Sequence, residues 1–199
     1  MYASFLLEIF YQFPLNPRVS YLSEYFSIDS PYRIVFATSD LLSAALTLAG
    51  LACLGDYYRY WTRWQLLIAF SYVVFSVFTV LDVSLPLKCA ESLDFCAKTG
   101  LTPHMVASAF VSASLIAISI GTIALITQGK IRGGMCRALL AIVLLYLALT
   151  ALIAYLDLMN MPVGYAQRAH VFFSCALLAS AGLLLSPYEY SLPWSRTRA

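Results

Sequence analysis

The sequence predicts an all-α integral membrane protein, a single transmembrane domain over 1–199 built as a bundle of five transmembrane helices. The first observation behind this is composition. The chain is 61% hydrophobic and 11% charged, where soluble domains carry roughly a quarter charged residues. The second is length: five apolar stretches, at about 34–54, 64–85, 105–127, 138–156 and 170–185, approach or pass the roughly 20 residues that a spanning helix needs. The third is pattern. These stretches are continuously apolar rather than alternating, and within lipid only helices or closed barrels satisfy every backbone group.

Residues 1–13 are apolar and aromatic but too short to span. They form either an amphipathic helix lying in the interface or the remnant of a sixth, degenerate helix. The first sixteen residues hold no Lys or Arg, carry Glu8 and lack a small-residue cleavage site, so a cleaved signal peptide is not expected. The connections that follow, at 55–63, 86–103, 128–137 and 157–169, are short. They leave no room for a soluble domain.

Five spans put the termini on opposite sides, so basic residues can be counted for each. One side holds Arg59, Arg63, Lys130, Arg132, Arg137, Arg196 and Arg198; the other holds Arg18, Arg33, Lys88, Lys98 and Arg168. The first group also has only Asp56 and Glu189 as acids. This places the C-terminus in the cytoplasm and the N-terminus outside, with Tyr57, Tyr58, Tyr60, Trp61, Trp64 and Trp194 as a cytoplasmic aromatic belt. The net charge of +2 is small and its sources scattered, which excludes a nucleic-acid-binding surface.

Of five cysteines, Cys89 and Cys96 share a loop on the proposed outer side, whereas Cys53, Cys136 and Cys175 do not. An oxidising compartment favours a disulfide between the loop pair. Two unpaired thiols are the competing reading, and a zinc knuckle would need further His or Cys ligands that this loop lacks.

Asp40, Asp82, His104, Asp157 and His170 are the ionisable residues inside or at the ends of the apolar spans. Each is costly at membrane depth unless paired or wet. Tracing the chain in and out puts all five toward one membrane face, whichever face that is, where a compact bundle would line an outward-facing cavity with them. Ser108 and Ser174 each lie four residues after a His, on the same helix face. Two readings follow. His104, His170 and Asp82 form the minimum set for a catalytic zinc with one open position, or a His paired with a carboxylate acts as general base and activates a Ser. Asp40 and Asp157 would then orient these groups, and Ser108 and Ser174 would contact substrate. The bland alternative is that the same Asp and His side chains cap helices or pair with Arg33, Arg168 or Lys88, and that Ser and Gly allow close helix packing.

The run Val19-Ser20-Tyr21-Leu22-Ser23-Glu24-Tyr25-Phe26, followed by Ser39-Asp40-Leu41-Leu42-Ser43, then Asp82 with Pro86 and Pro103-His104, resembles a bacterial multi-pass membrane family catalogued as domain of unknown function number 998. The resemblance covers about 19–110. It implies some six helices and no established activity, and it adds Glu24 to Asp40, Asp82 and His104 as residues that belong together. More distantly, outward or luminal His, Asp and Ser groups look like those of the seven-helix ceramidase and adiponectin-receptor-like hydrolases, which hold zinc. This chain departs from them in having two His and no His-x-x-x-His pair. The reading reached is a protein of the bacterial cytoplasmic membrane, either a hydrolase or transferase for a lipid or lipid-linked substrate, or a lipid-binding accessory subunit of a membrane complex.

Overall fold

The computed structural model describes residues 4–10, 15–96 and 100–187. Lys98, Glu189, Trp194, Arg196 and Arg198, together with parts of 1–13, lie outside the described residues. Five helices build the bundle: α1 (Arg33–Cys53), α2 (Arg63–Ser84), α3 (Pro103–Thr127), α4 (Gly133–Leu158) and α5 (Gly164–Ala179). No strand occurs among the described residues. The first four are long and apolar enough to cross a membrane. The chain is an integral membrane protein. The expected fifth span is built differently, as a 16-residue helix that stops at Ser180 and resumes for one turn, Ala181–Leu184.

Local sequence explains the boundaries. Thr62 and Gln65 form a reciprocal capping box at the start of α2: the Gln65 amide donates to Thr62 Oγ1 at 3.3 Å, and the Thr62 amide to Gln65 Oε1 at 3.1 Å. Helix α3 begins two residues before the apolar stretch, because Pro103 suits a first helical turn and Thr102 Oγ1 accepts from the Met105 amide at 3.2 Å. Helix α4 begins at Gly133, whose φ of +68° an L side chain would resist. The expectation that His170 opens the fifth helix is corrected: α5 starts six residues earlier, at Gly164. Its first turns carry Gln167 and Arg168, and an apolar-length criterion passes over such polar turns.

Residues 4–9 form a short 3-10 helix, Ser4–Ile9, in place of a spanning one. It packs near α1. Residues 22–26 form another, Leu22–Phe26, wedged between α1 and α5. A third, Gly55–Tyr60, carries the exposed Tyr57, Tyr58 and Tyr60 of the expected belt.

Helices α2 and α3 make the most extensive contact, with α1 against α2 and α4 against both α3 and α5. Small and hydroxyl side chains allow the close approach of α2 and α3. A Cβ on Gly121 would lie 2.6 Å from Ile68 Cγ1, so the α2 side chain occupies the space that glycine leaves. Ser71, Ser76, Ser119 and Thr122 are buried there, and each donates to a carbonyl four residues earlier in its own helix. Their polarity is thereby satisfied without an interhelical partner. The outward faces are apolar: Phe70, Leu46, Leu144 and Leu145 are each about half exposed, as lipid-facing residues should be.

The interruption at Ser180 frees carbonyl groups that lipid would not tolerate unpaired. Tyr72 Oη donates to Leu177 O at 3.1 Å, and Ser180 Oγ reaches the same carbonyl at 2.6 Å. One turn on, Gln65 Nε2 donates to Leu184 O and Ser186 O at 3.1 and 2.8 Å, while Trp61 Nε1 donates to Leu185 O at 2.8 Å. One end of α2 thus holds the end of the α5 segment.

At the opposite end, the N-terminal segment is clamped to α5. Arg168 binds Glu8 through two parallel bonds, Nε to Oε1 and Nη2 to Oε2, both 2.6 Å. Its Nη1 donates to Pro17 O, Ser20 O and Gly164 O. The Gly164 amide donates to Arg18 O at 3.0 Å, and a Cβ at Gly164 would lie 2.2 Å from Pro17 O. Glycine is required by that proximity. Gly164→Val is therefore expected to cost about 1–3 kcal/mol, the usual range for overpacking, read as a lowered denaturation midpoint in detergent. Gly134→Ala, where an added Cβ meets nothing within 4 Å, is the control and should leave the midpoint in place or raise it.

Candidate functional site: a polar cavity at one end of the bundle

A cavity of about 410 Å³ opens at the end of the bundle where α2 and α4 finish and α3 and α5 begin. Glu24 from the Leu22–Phe26 turn, Asp40 from α1 and Asp82 from α2 all line it. So do His104 and Ser108 from α3, Asp157 from α4, and His170 and Ser174 from α5. Every side chain singled out in the sequence as a candidate site residue therefore faces one space. The convergence follows from helix order, with α1, α2, α3, α4 and α5 packed so that each presents the same end.

Within the cavity the groups sort into three sets. The first is centred on Asp82. His104 Nδ1 lies 3.2 Å from Asp82 Oδ1 and 3.2 Å from the Asp82 carbonyl oxygen, and Ser108 Oγ donates to Asp82 Oδ1 at 2.5 Å. One carboxylate therefore holds both the ring and the hydroxyl. The order is Ser to Asp to His, so Ser108 is not presented to His104 as a nucleophile. With Nδ1–H directed at Asp82, the imidazole keeps Nε2 as its basic nitrogen.

The second set surrounds His170, which is the seventh residue of α5. Thr150 Oγ1 donates to Tyr146 O at 2.9 Å and lies 2.9 Å from His170 Nε2. A hydroxyl has one proton to give, so while Thr150 donates to Tyr146 O, the bond to His170 needs the tautomer with its hydrogen on Nε2. The ring stacks on Tyr146, with centroids 4.6 Å apart. Ser174, buried, donates to the His170 carbonyl at 2.9 Å rather than into the cavity.

The third set is the roof. Tyr21 Oη donates to Asp157 Oδ1 at 2.7 Å, and the Leu22 amide donates to Gln167 Oε1 at 2.7 Å. The Glu24 carboxylate accepts from the hydroxyl of Ser92 and from the Tyr21 amide. These bonds tie the 21–26 segment to α4, α5 and the loop after α2. That loop is itself closed by a disulfide between Cys89 and Cys96, whose Cα atoms are 5.9 Å apart. Burial and the bond to Asp157 push the Tyr21 hydroxyl well above the usual tyrosine range, so it stays protonated and donating.

The zinc set expected from the sequence is not assembled. Among the described residues no group of three or more His, Cys, Asp or Glu is placed to hold a metal ion. His104 and Asp82 engage one another, while His170 is held by Thr150 and Tyr146.

Ser92, Thr150 and Gln167 are not among the residues the sequence marks, and Arg168 enters there only as a candidate ion-pair partner. Gln167 and Arg168 were assigned to a connecting loop because they are polar, and Thr150 lay unmarked inside an apolar span. A helical projection of α5 would have found Gln167, which is three residues before His170 and seven before Ser174.

The sequence profile of the family described as "Protein of unknown function (DUF998)" matches residues 1–184. The chain belongs to that family. The match takes in every cavity residue and extends well past the motifs between Val19 and Phe110 that carry the resemblance. No curated protein and no solved structure matches the chain. In this family member Glu24, Asp40, Asp82 and His104, the positions the motifs bring together, line one cavity, as does Ser23 of the roof segment.

Glu24 also supplies a pH dependence. Burial raises its carboxyl above the ordinary 4.5, against the weaker opposing pull of the bonds from Ser92 and Tyr21. The folded state then holds this proton more tightly than the unfolded state does. The sign follows: the protonated carboxyl costs the fold nothing at acidic pH, and stability falls as pH rises past 4.5 through the raised folded value. Melting temperature measured across this window should fall with pH more steeply in the wild type than in Glu24→Gln, which keeps the shape but cannot ionise. Parallel curves would show that Glu24 titrates as an ordinary carboxyl.

Proposed function

We propose that this protein is a lipid-modifying enzyme of the bacterial cytoplasmic membrane, a hydrolase or transferase that acts at the outer leaflet by general acid/base catalysis. The observation that carries this reading is the Asp82–His104 pair, part-buried and facing a cavity in a lipid-embedded bundle. Asp82 fixes the tautomer and position of the ring, as a carboxylate does for a catalytic histidine. Ser108 in turn holds Asp82. His104 Nε2 accepts a proton from water, or from an acceptor hydroxyl, as that oxygen attacks an ester, amide or phosphoester centre. The same nitrogen returns the proton to the departing oxygen or nitrogen. His170, with Nε2–H spent on Thr150, and Asp40 shape the polarity of the wall.

The fifth crossing in this reading is made by α5 with its continuation, and the cavity end faces outward. The disulfide between Cys89 and Cys96 at that same end supports an oxidising compartment there, as does the greater number of basic residues at the other end. A second reading, a lipid-binding accessory subunit, is favoured by the occupied hydroxyls of Ser108 and Ser174, which are bonded within the protein rather than presented as nucleophiles.

The test is lipid mass spectrometry on vesicles of bacterial polar lipid incubated with purified protein. The wild type is expected to convert at least one lipid class. His104→Ala and Asp82→Asn should slow that conversion by about 10²–10⁴-fold, the range for loss of a general base, with unchanged melting behaviour. If no lipid class changes with the wild type, while a lipid copurifies with it, the accessory-subunit reading replaces the enzymatic one.

A further inference from the structure

A separate cavity lies beside the polar one, beyond Asp40 and Ser174, and shares no lining residue with it. On the next residues of the same two helices, Ser43 of α1 and Cys175 of α5, this second cavity, of about 440 Å³, begins. It runs between α1 and the α5 segment toward the opposite end of the bundle, bounded by Thr47 and Gly50 on one side and by Leu178 and Gly182 on the other. Its character changes: carboxylates and imidazoles line the first cavity, whereas the second has no ionisable lining besides Cys53, Cys175 and the hydroxyl of Tyr72. A Cβ built on Gly50 or on Gly182 meets nothing within 4 Å, so the glycines keep the cleft open rather than serve helix contact.

Length supports a long ligand. From Ser43 to Leu54 the rise along α1 is about 16 Å at 1.5 Å per residue. That is about half of a hydrocarbon core some 30 Å thick.

Ser43 lies one helical turn beyond Asp40. The other buried hydroxyls of α2, α3 and α5 largely donate to carbonyls of their own helix. Ser43 is 3% exposed, lines the cleft, and its Oγ, like that of Thr79 on α2, has no hydrogen-bond partner among the described residues. A buried hydroxyl without a partner is unfavourable until an acceptor arrives. It stands where an amphiphile changes from polar to apolar.

Building on the lipid-modifying reading above, we propose that the α1/α5 cleft is the tail subsite of the substrate, a long-chain lipid. Its polar head occupies the Asp82–His104 cavity, its ester or amide carbonyl accepts from Ser43 Oγ, and its hydrocarbon chain lies along Thr47, Gly50, Leu178 and Gly182. In this reading the chain enters sideways from the bilayer, between α1 and the α5 segment.

The experiment uses the full chain in vesicles of phosphatidylethanolamine and phosphatidylglycerol doped with a lysophospholipid whose palmitoyl chain carries a terminal diazirine. After irradiation, cross-linked peptides are mapped by mass spectrometry. Cross-links are expected to concentrate in 46–54 of α1 and 175–184 of the α5 segment. Gly50→Leu and Gly182→Leu, which fill open space, should reduce them about tenfold, and Ser43→Ala several-fold. Leu145→Trp on the outward face of α4 should leave them unchanged.

Cross-links spread evenly over the exposed faces of α1 to α4, insensitive to Gly50→Leu and Gly182→Leu, would mean ordinary annular lipid and overturn the tail subsite. Lipid turnover that still depends on His104 would in that case leave the enzymatic reading standing. Cross-links confined to the cleft in a protein that converts no lipid would instead support the subsite while removing the catalytic reading of the cavity.

Discussion

Arg168 is the group on which the cavity end of this protein depends. A guanidinium near the end of a membrane bundle must have every donor satisfied or reach water. Here Nε and Nη2 take both oxygens of Glu8, and Nη1 takes three carbonyls, those of Pro17, Ser20 and Gly164. One side chain on α5 thus gathers the first described turn, the 15–20 segment and its own helix start. Because the chain at 17–18 lies against Gly164, the 21–26 segment that follows is delivered directly over the cavity. There Tyr21 and Leu22 bind Asp157 and Gln167. The roof is a consequence of the clamp.

Below the roof, polar groups survive at membrane depth because they pair within short reach. Asp82 holds a ring and a hydroxyl, His170 has Thr150 and a stacked Tyr146, and Glu24 has Ser92 and a backbone amide. Away from this end, Ser71, Ser76, Ser119 and Thr122 return their protons to their own helices, and the interface between α2 and α3 is set by shape, with Ile68 filling the space at Gly121. The fold therefore segregates its polarity. One end concentrates ionisable groups around an open volume, the middle is packed by small and apolar residues, and the far end closes the α5 segment with Trp61, Gln65 and Tyr72.

That segregation also accounts for the two neighbouring volumes. The broken α5 segment and α1 are not in close contact beside Gly50 and Gly182, so the cleft between them remains where α2 and α3 leave none. A polar chamber beside an apolar cleft suits an amphiphile, and Ser43, whose hydroxyl has no hydrogen-bond partner among the described residues, lines the cleft one helical turn beyond Asp40.

Composition and run length were enough to determine that this chain is an all-helical membrane protein and where α1 to α4 lie to within a few residues, since insertion into lipid depends on apolar length and on little else. They also determined which polar residues share one end, because in-and-out threading fixes depth, and the loop cysteines that pair across 5.9 Å. The start of α5 at Gly164 was illegible, as its polar turns are stabilised by the Glu8 and 15–20 segments, far away in sequence. So was the sorting of seven of the eight cavity residues, all but Asp40, into an Asp82 set, a His170 set and a roof. Whether two side chains at the same depth touch depends on helix rotation and neighbour order, and spacing along one helix carries neither. Only tertiary packing could decide that Ser108 serves Asp82, that His170 belongs to Thr150 and Tyr146, and that His104 and His170 do not join in one ligand set.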